Sequence, residues 1–179
     1  MNYTPPPFQP IHFVPANDEA EIRNRPLLAL HLVAHEPLTN GANHWSFYLQ
    51  TTPSTSITLD ATPSHTIPST VLFNGSKAHL TISALPYLYP ESATKVVSLS
   101  VREGLTVGGL VDLVVGEGRA RYEFNGEGRG CRMWTTDLVT LFEGLGVVTD
   151  KAQAEEARRA IATEYPSGKA FPLDVGAYY

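Results

Sequence analysis

NHWSFYLQ, residues 43–50, sets Trp45, Phe47 and Leu49 on one side of an extended chain and His44, Ser46 and Tyr48 on the other. Alternation with a period of two is the mark of a strand with one buried face. The apolar side predicts a contact with the core. The polar side opens with a histidine and follows it with a residue as small as serine, which predicts that another element comes close there.

Upstream, PLLALHLVAHE (residues 26–36) is a nearly continuous apolar run with His31 and His35 embedded in it, as expected of a central strand covered on both faces. PLTNGAN (37–43) supplies the turn residues that return the chain as a neighbouring strand. Downstream, STSITLDAT (54–62), KAHLTISAL (77–85) and TKVVSLSV (94–101) continue the alternation, with PSHTIPSTVLFNG (63–75) expected as a loop or irregular edge. Together these predict an antiparallel meander. Helical spacing follows: Val107, Leu110, Val111 and Val114 fall on one stripe behind Thr106, and Trp134, Leu138, Leu141, Phe142 and Leu145 on another that ends at Gly144 and Gly146. A last helix starts from Asp150, and PLDVGAYY (172–179) closes the chain as a short strand or coil. The first 25 residues hold five prolines and read as an extended arm. The expected organisation is an arm over residues 1–25 and one α+β domain over 26–179, with an antiparallel sheet packed against a cysteine-bearing helix.

Composition narrows the function. A length of 179 residues is enough for one ordinary core, and a single cysteine rules out an internal disulfide. A net charge of −5, with Lys and Arg scattered in pairs such as Arg129/Arg132 and Arg158/Arg159, argues against a nucleic-acid partner. No stretch approaches the roughly 20 apolar residues of a membrane span, and MNYTPPPFQPIHF has no basic start followed by an apolar run. A cytoplasmic protein with no membrane partner is expected. Sequons at Asn2 and Asn74 carry little weight without a secretory signal.

The chemistry concentrates on Cys131. NGEGRG (125–130) leads into GCRMWTTDLVTLFEGLG, and the cysteine lies at the first turn of that helix, three residues before Trp134 on its inward stripe. Free backbone N–H groups and the positive end of the helix dipole favour a thiolate there and can receive an oxyanion. The missing base is expected at His44, within hydrogen-bond reach of the sulfur in a solvent-reachable cleft, with Asp60 orienting the imidazole. Ser46 is expected to be small so that the cysteine helix can pack against its strand. Ser46, Tyr48, Gly130, Arg132 and Trp134 complete the expected substrate site.

HWSFYL resembles the His-x-Gly-Ile-Tyr-Leu strand of the NlpC/P60 and lecithin retinol acyltransferase-like enzymes, and GCRMW resembles the start of their cysteine helix, with an aromatic residue three positions after the cysteine. The order His44, Asp60, Cys131 is similar to the circularly permuted papain-like branch, which includes the PPPDE-type isopeptidases. The likeness covers about a fifth of the chain. Ser46 stands where those families have glycine, Asp60 where they usually have histidine, and Gly130 where they have asparagine. It implies a permuted papain-like fold, a thiolate at Cys131, a general base at His44 and an orienting group at Asp60. NHWSFYL, GCRMW and PLDVGAYY together also resemble a fungal family of uncharacterised proteins, which implies no particular chemistry.

The function so implied is a cysteine-dependent hydrolase or acyltransferase acting on an amide or (thio)ester through an acyl-enzyme, with a small-molecule or peptide acyl substrate, no cofactor and no metal. The alternative is a non-catalytic module of the same fold that binds a small ligand or a protein. Each residue also has a packing interpretation: a lone cysteine on an apolar helical stripe is ordinarily core filler, and a histidine at a strand end is ordinarily a hydrogen-bonded structural group. His31 and His35 share a strand face and invite a metal, but no third ligand is assignable and a buried hydrogen-bonded role is expected. The glycines of residues 116–130 lack the phosphate-loop and dinucleotide patterns.

Overall fold

The computed structural model describes residues 7–39 and 41–179. Asn2 and the start of the expected arm lie outside the described residues. The elements are β1 (Ile11–Val14), α1 (Glu19–Asn24), β2 (Ala29–Pro37), β3 (Asn43–Gln50), β4 (Ser56–Pro68), β5 (Ser76–Leu85), β6 (Lys95–Ser100), α2 (Val107–Gly116), β7 (Tyr122–Phe124), α3 (Cys131–Gly144), α4 (Lys151–Ile161), β8 (Thr163–Glu164), β9 (Lys169–Ala170) and β10 (Ala177–Tyr178). The architecture is α+β. Seven strands of the main sheet run antiparallel in the order β10-β7-β5-β4-β3-β2-β6, and β1 joins β5 in parallel. No helix among the described residues is long and apolar enough to cross a membrane.

The apolar face of β3 organises the core. Trp45, Phe47 and Leu49 are fully buried, beside Leu30, Leu32 and Ala34 of β2 and Ile57, Leu59 and Ala61 of β4. α3 lies across this face, its Trp134 and Phe142 rings meeting Phe47 edge-on at centroid distances of 6.4 and 5.8 Å. Each large side chain so buried contributes about 1.5–3 kcal/mol. α4 packs on α3 and β6 with Ala154, Ala157, Ala160 and Ile161 buried, and Arg158 bonds Glu143 of α3 at 2.7 Å.

One expectation needs correction. The stretch read as an extended arm is partly regular: β1 adds to the sheet and Phe13 and Ile22 join the core. Local proline content signalled extension but not the tertiary burial that stabilises a six-residue helix. The stretch expected as a loop or irregular edge divides: residues 63–68 lengthen β4 to 13 residues, with a register shift between Pro63 and Pro68 where His65 adopts a φ of 56°, and residues 69–75 form a loop. The irregularity accommodates both prolines, which cannot donate to a ladder.

The loop after β4 is braced from inside. Glu123 of β7 is fully buried, and its carboxylate accepts from the Ser69 hydroxyl, from Thr70 N and Oγ1 at 2.8 Å each, and from Val71 N at 3.0 Å. Burial works against its charge, but these bonds hold its carboxyl below the usual range. The braced loop packs on the glycine loop that precedes α3, where a Cβ at Gly126 would lie 3.1 Å from the Phe73 carbonyl.

Candidate active site

His44 is the second residue of β3 and points to the sheet face away from the core. Adjacent β3 and β4 pair Phe47 with Leu59, and continuing that register brings Asp60 beside Ser46 and diagonal to His44. The imidazole Nε2 lies 2.6 Å from Asp60 Oδ1. Cys131 lines the same cleft. Burial opposes a charge on His44, but the hydrogen bond to Asp60 and the influence of the Asp60 and Cys131 side chains outweigh it and push the imidazole up to about 10. Asp60 shows the mirror effect: burial raises it, but the His44 bond and charge, with smaller help from His35 and Ser46, leave it below its ordinary value.

Cys131 is the first residue of α3 and is half-buried. The starts of the three long helices differ in one respect. Thr106 accepts from Gly109 N at the head of α2, and Asp150 accepts from Ala152 N at the head of α4. At α3 the capping position is Gly130, which has no side chain to offer, and the first helical bond is Trp134 N to Gly130 O at 3.1 Å. The N–H groups of residues 131–133 therefore precede any intrahelical acceptor. Gly130 is required by its φ of 144° and by Tyr122, whose hydroxyl donates to the Gly130 carbonyl at 2.8 Å and would lie 3.1 Å from a Cβ there.

These groups line one cleft of about 310 Å³, the size of a small-ligand site. One wall carries His44, Asp60, Thr62 and Pro63; the other carries Phe124 and the 127–132 backbone, with Asp174 of the C-terminal segment at the rim. Arg129 bridges Glu127 at 3.1 Å and Asp174 at 3.5 Å, tying the glycine loop to that segment.

Cys131, His44, Asp60 and Gly130 line one cleft, but the structure places most of the other expected site residues elsewhere. Trp134 is fully buried, donates its indole N–H to the Arg119 carbonyl at 2.8 Å and does not line the cleft. Tyr48 is buried beside His35 and Tyr87 and does not line it either. Arg132 reaches the cleft, but its guanidinium is turned inward and donates to the carbonyls of Ile161 at 2.8 Å, Phe171 at 2.6 Å and Pro172 at 2.8 Å. Its role there is to pin the 161–172 segment against α3. Ser46 is not small in order to admit the helix, because α3 packs on the opposite, Phe47 face of β3. Its hydroxyl instead bonds His35 Nε2 at 2.9 Å.

Sequence reasoning missed His35. It was grouped with His31, which bonds Ser98 at 2.9 Å and Gln50 at 3.0 Å well away from Cys131. The two histidines do not form a metal site, and among the described residues no group of three ligating side chains converges. The only sequence signal for His35 was its place opposite the start of β3 across a short turn.

The fold and the cleft define an α+β domain in which the Cys131 thiol shares a cleft with an imidazole and a carboxylate, His44 and Asp60, that are hydrogen-bonded to each other. A family model described as a domain of unknown function, DUF7770, matches residues 30–179, and the chain belongs to that family. No curated protein and no solved structure matches it.

Proposed function

We propose that the protein is a cysteine-dependent hydrolase or acyltransferase with a permuted papain-like arrangement, acting on an amide or (thio)ester. One observation carries this: the His44 imidazole, hydrogen-bonded to the Asp60 carboxylate, lines the same cleft of small-ligand size as the Cys131 thiol. The chain order of the three residues, and a cysteine that opens a helix, support the permuted architecture.

The chemistry follows from the parts. Asp60 holds His44 as an imidazolium in the cleft that Cys131 also lines, and in the proposed reaction the sulfur, its proton passed to that imidazole, is the nucleophile. The thiolate attacks the substrate carbonyl carbon, forming a C–S bond and placing the oxygen's charge on the free N–H groups at the start of α3. Collapse breaks the bond to the leaving group, which takes the His44 proton, and leaves an acyl-Cys131. The neutral imidazole then removes a proton from water or from a second nucleophile, whose attack releases the acyl group and restores the ion pair. Hydrolysis and transfer differ only in that second nucleophile.

The test is trapping. On incubation with p-nitrophenyl acetate, peptide mass spectrometry is expected to find an acetyl group on Cys131, with nitrophenolate released in a burst that Cys131→Ser abolishes and His44→Ala slows. Release no faster than Cys131→Ser, with an unmodified cysteine, overturns the enzyme and leaves a ligand-binding module.

A further inference from the structure

Two of the three long helices are held at their starts by their own N–H groups. Thr106 accepts from Gly109 N at 3.1 Å, and Asp150 accepts from Ala152 N at 2.8 Å and Gln153 N at 3.3 Å. α3 is held the other way. Its Gly130 cap offers no side chain, and the Tyr122 hydroxyl donates instead to the Gly130 carbonyl at 2.8 Å, on the oxygen that also accepts from Trp134 N at 3.1 Å. A grip on the carbonyl leaves the first N–H groups of the helix free.

Tyr122 is placed for this grip. It is fully buried on β7, with the Phe124 and Tyr178 rings against it at centroid distances of 5.6 and 4.9 Å. After β7 the chain doubles back through a turn braced by Asn125, whose side-chain oxygen accepts from Glu127 N and Arg129 N at 3.0 Å each, and Gly130 returns to the hydroxyl of a residue 8 positions upstream. The C-terminal segment lies so close that a Cβ at Gly176 would collide with the same hydroxyl. Burial pushes that hydroxyl above its ordinary value, so it remains a donor.

One peptide plane links the hydroxyl to the N–H of the cysteine. The Gly130–Cys131 bond is trans, so its C=O and N–H point in opposite directions within a rigid plane. Fixing the carbonyl fixes the Cys131 N–H. Gly130 and Cys131 line the cleft and Tyr122 does not, so the carbonyl faces the packed side and the N–H faces away from it. A glycine at a φ of 144° would otherwise be a free joint at this point.

Resting on the proposed reaction, we propose that Tyr122 is a positioning residue: its buried hydroxyl holds the Gly130 carbonyl, fixes the plane of the Gly130–Cys131 peptide, and so keeps the Cys131 N–H aimed at the oxygen of the carbonyl that the sulfur attacks.

The experiment compares two reactions of Cys131 at pH 7. Acetylation by p-nitrophenyl acetate develops charge on the carbonyl oxygen, whereas alkylation by iodoacetamide forms the C–S bond and expels iodide in one displacement without that charge. Tyr122→Phe keeps the ring and loses only the hydroxyl. Its acetylation burst is expected to slow about fivefold, the worth of one hydrogen bond, with alkylation within about twofold of the native rate. Equal losses in the two reactions make Tyr122 a packing group and overturn the positioning role, as does no loss in either, and both outcomes leave the reaction standing. A native burst that Cys131→Ser does not abolish overturns the reaction, and the positioning role with it. The native protein supplies a second readout that decides the matter even if Tyr122→Phe does not fold. The ester p-nitrophenyl thionoacetate develops its charge on sulfur, a weak hydrogen-bond acceptor, so native Cys131 is expected to prefer the oxygen ester about fivefold more strongly than N-acetylcysteine does. A preference no larger than that of N-acetylcysteine overturns the proposal.

Discussion

His44 Nε2 and Asp60 Oδ1 lie 2.6 Å apart across β3 and β4, with only 22% and 28% of the two side chains exposed. At that depth the pair is shielded from salt and carries a measurable share of stability. His44 is raised from 6.5 to about 10, so its share is complete below pH 6.5 and is lost as the pH climbs through about 10. Asp60 is lowered from 3.8, so its share is present above pH 3.8 and is lost as the pH falls through its folded value.

The deficit of Asp60→Asn in thermal unfolding is therefore expected to be greatest between pH 3.8 and 6.5 and to fade towards pH 10. Its size at the maximum is about 2 kcal/mol, that of a hydrogen bond to a charged group. A deficit that is flat with pH, read from melting curves at pH 5, 8 and 10, contradicts the ion pair.

In the proposed reaction His44 is the base that serves Cys131. His44→Ala is expected to cut the iodoacetamide rate at Cys131 about tenfold at pH 7 in the native protein and to leave the rate in denaturant unchanged. Equal native rates would remove His44 from the chemistry of the thiol.

Gly130→Ala places a Cβ at a φ of 144° and 3.1 Å from the Tyr122 hydroxyl. The expected loss is about 1–3 kcal/mol, accompanied by slower alkylation because the start of α3 must shift. Unfolding and alkylation measured on the same variant check both. An unchanged melting temperature would show that the backbone there is unstrained.

Arg132→Lys keeps the charge and loses the planar fork that serves three carbonyls. It is expected to cost about 3 kcal/mol and to raise hydrogen exchange selectively over residues 161–176, which hydrogen-exchange mass spectrometry resolves. Exchange that rises uniformly would mean that Arg132 supports the whole fold and not this segment.

Much of this molecule is legible in local sequence. The alternation of residues 43–50, the stripe of Trp134, Leu138 and Phe142, and the Thr106 and Asp150 caps correspond to the elements observed, whereas Leu145, read as the end of that stripe, lies just beyond α3 and is exposed. Such features depend on residues a few positions apart, and backbone geometry converts their spacing directly into a face or a turn. The extension of β4 through two prolines and the strand and helix inside the proline-rich start were not legible, because burial against distant elements decides them.

The candidate site divides along the same line. By itself the sequence determined that His44, Ser46 and Tyr48 share one strand face and that Cys131 opens a helix behind a glycine, since both follow from periods of 2 and 3.6 residues. Only the tertiary structure decided which face of β3 receives α3. The need to bury Trp45, Phe47 and Leu49 with Trp134 and Phe142 sends the helix to the apolar side, and leaves the polar side to the hydrogen-bonded pairs His35–Ser46 and His44–Asp60. These pairs join β2 to β3 and β3 to β4 through strand register and a bulge, relations between residues far apart in the chain that no local period encodes.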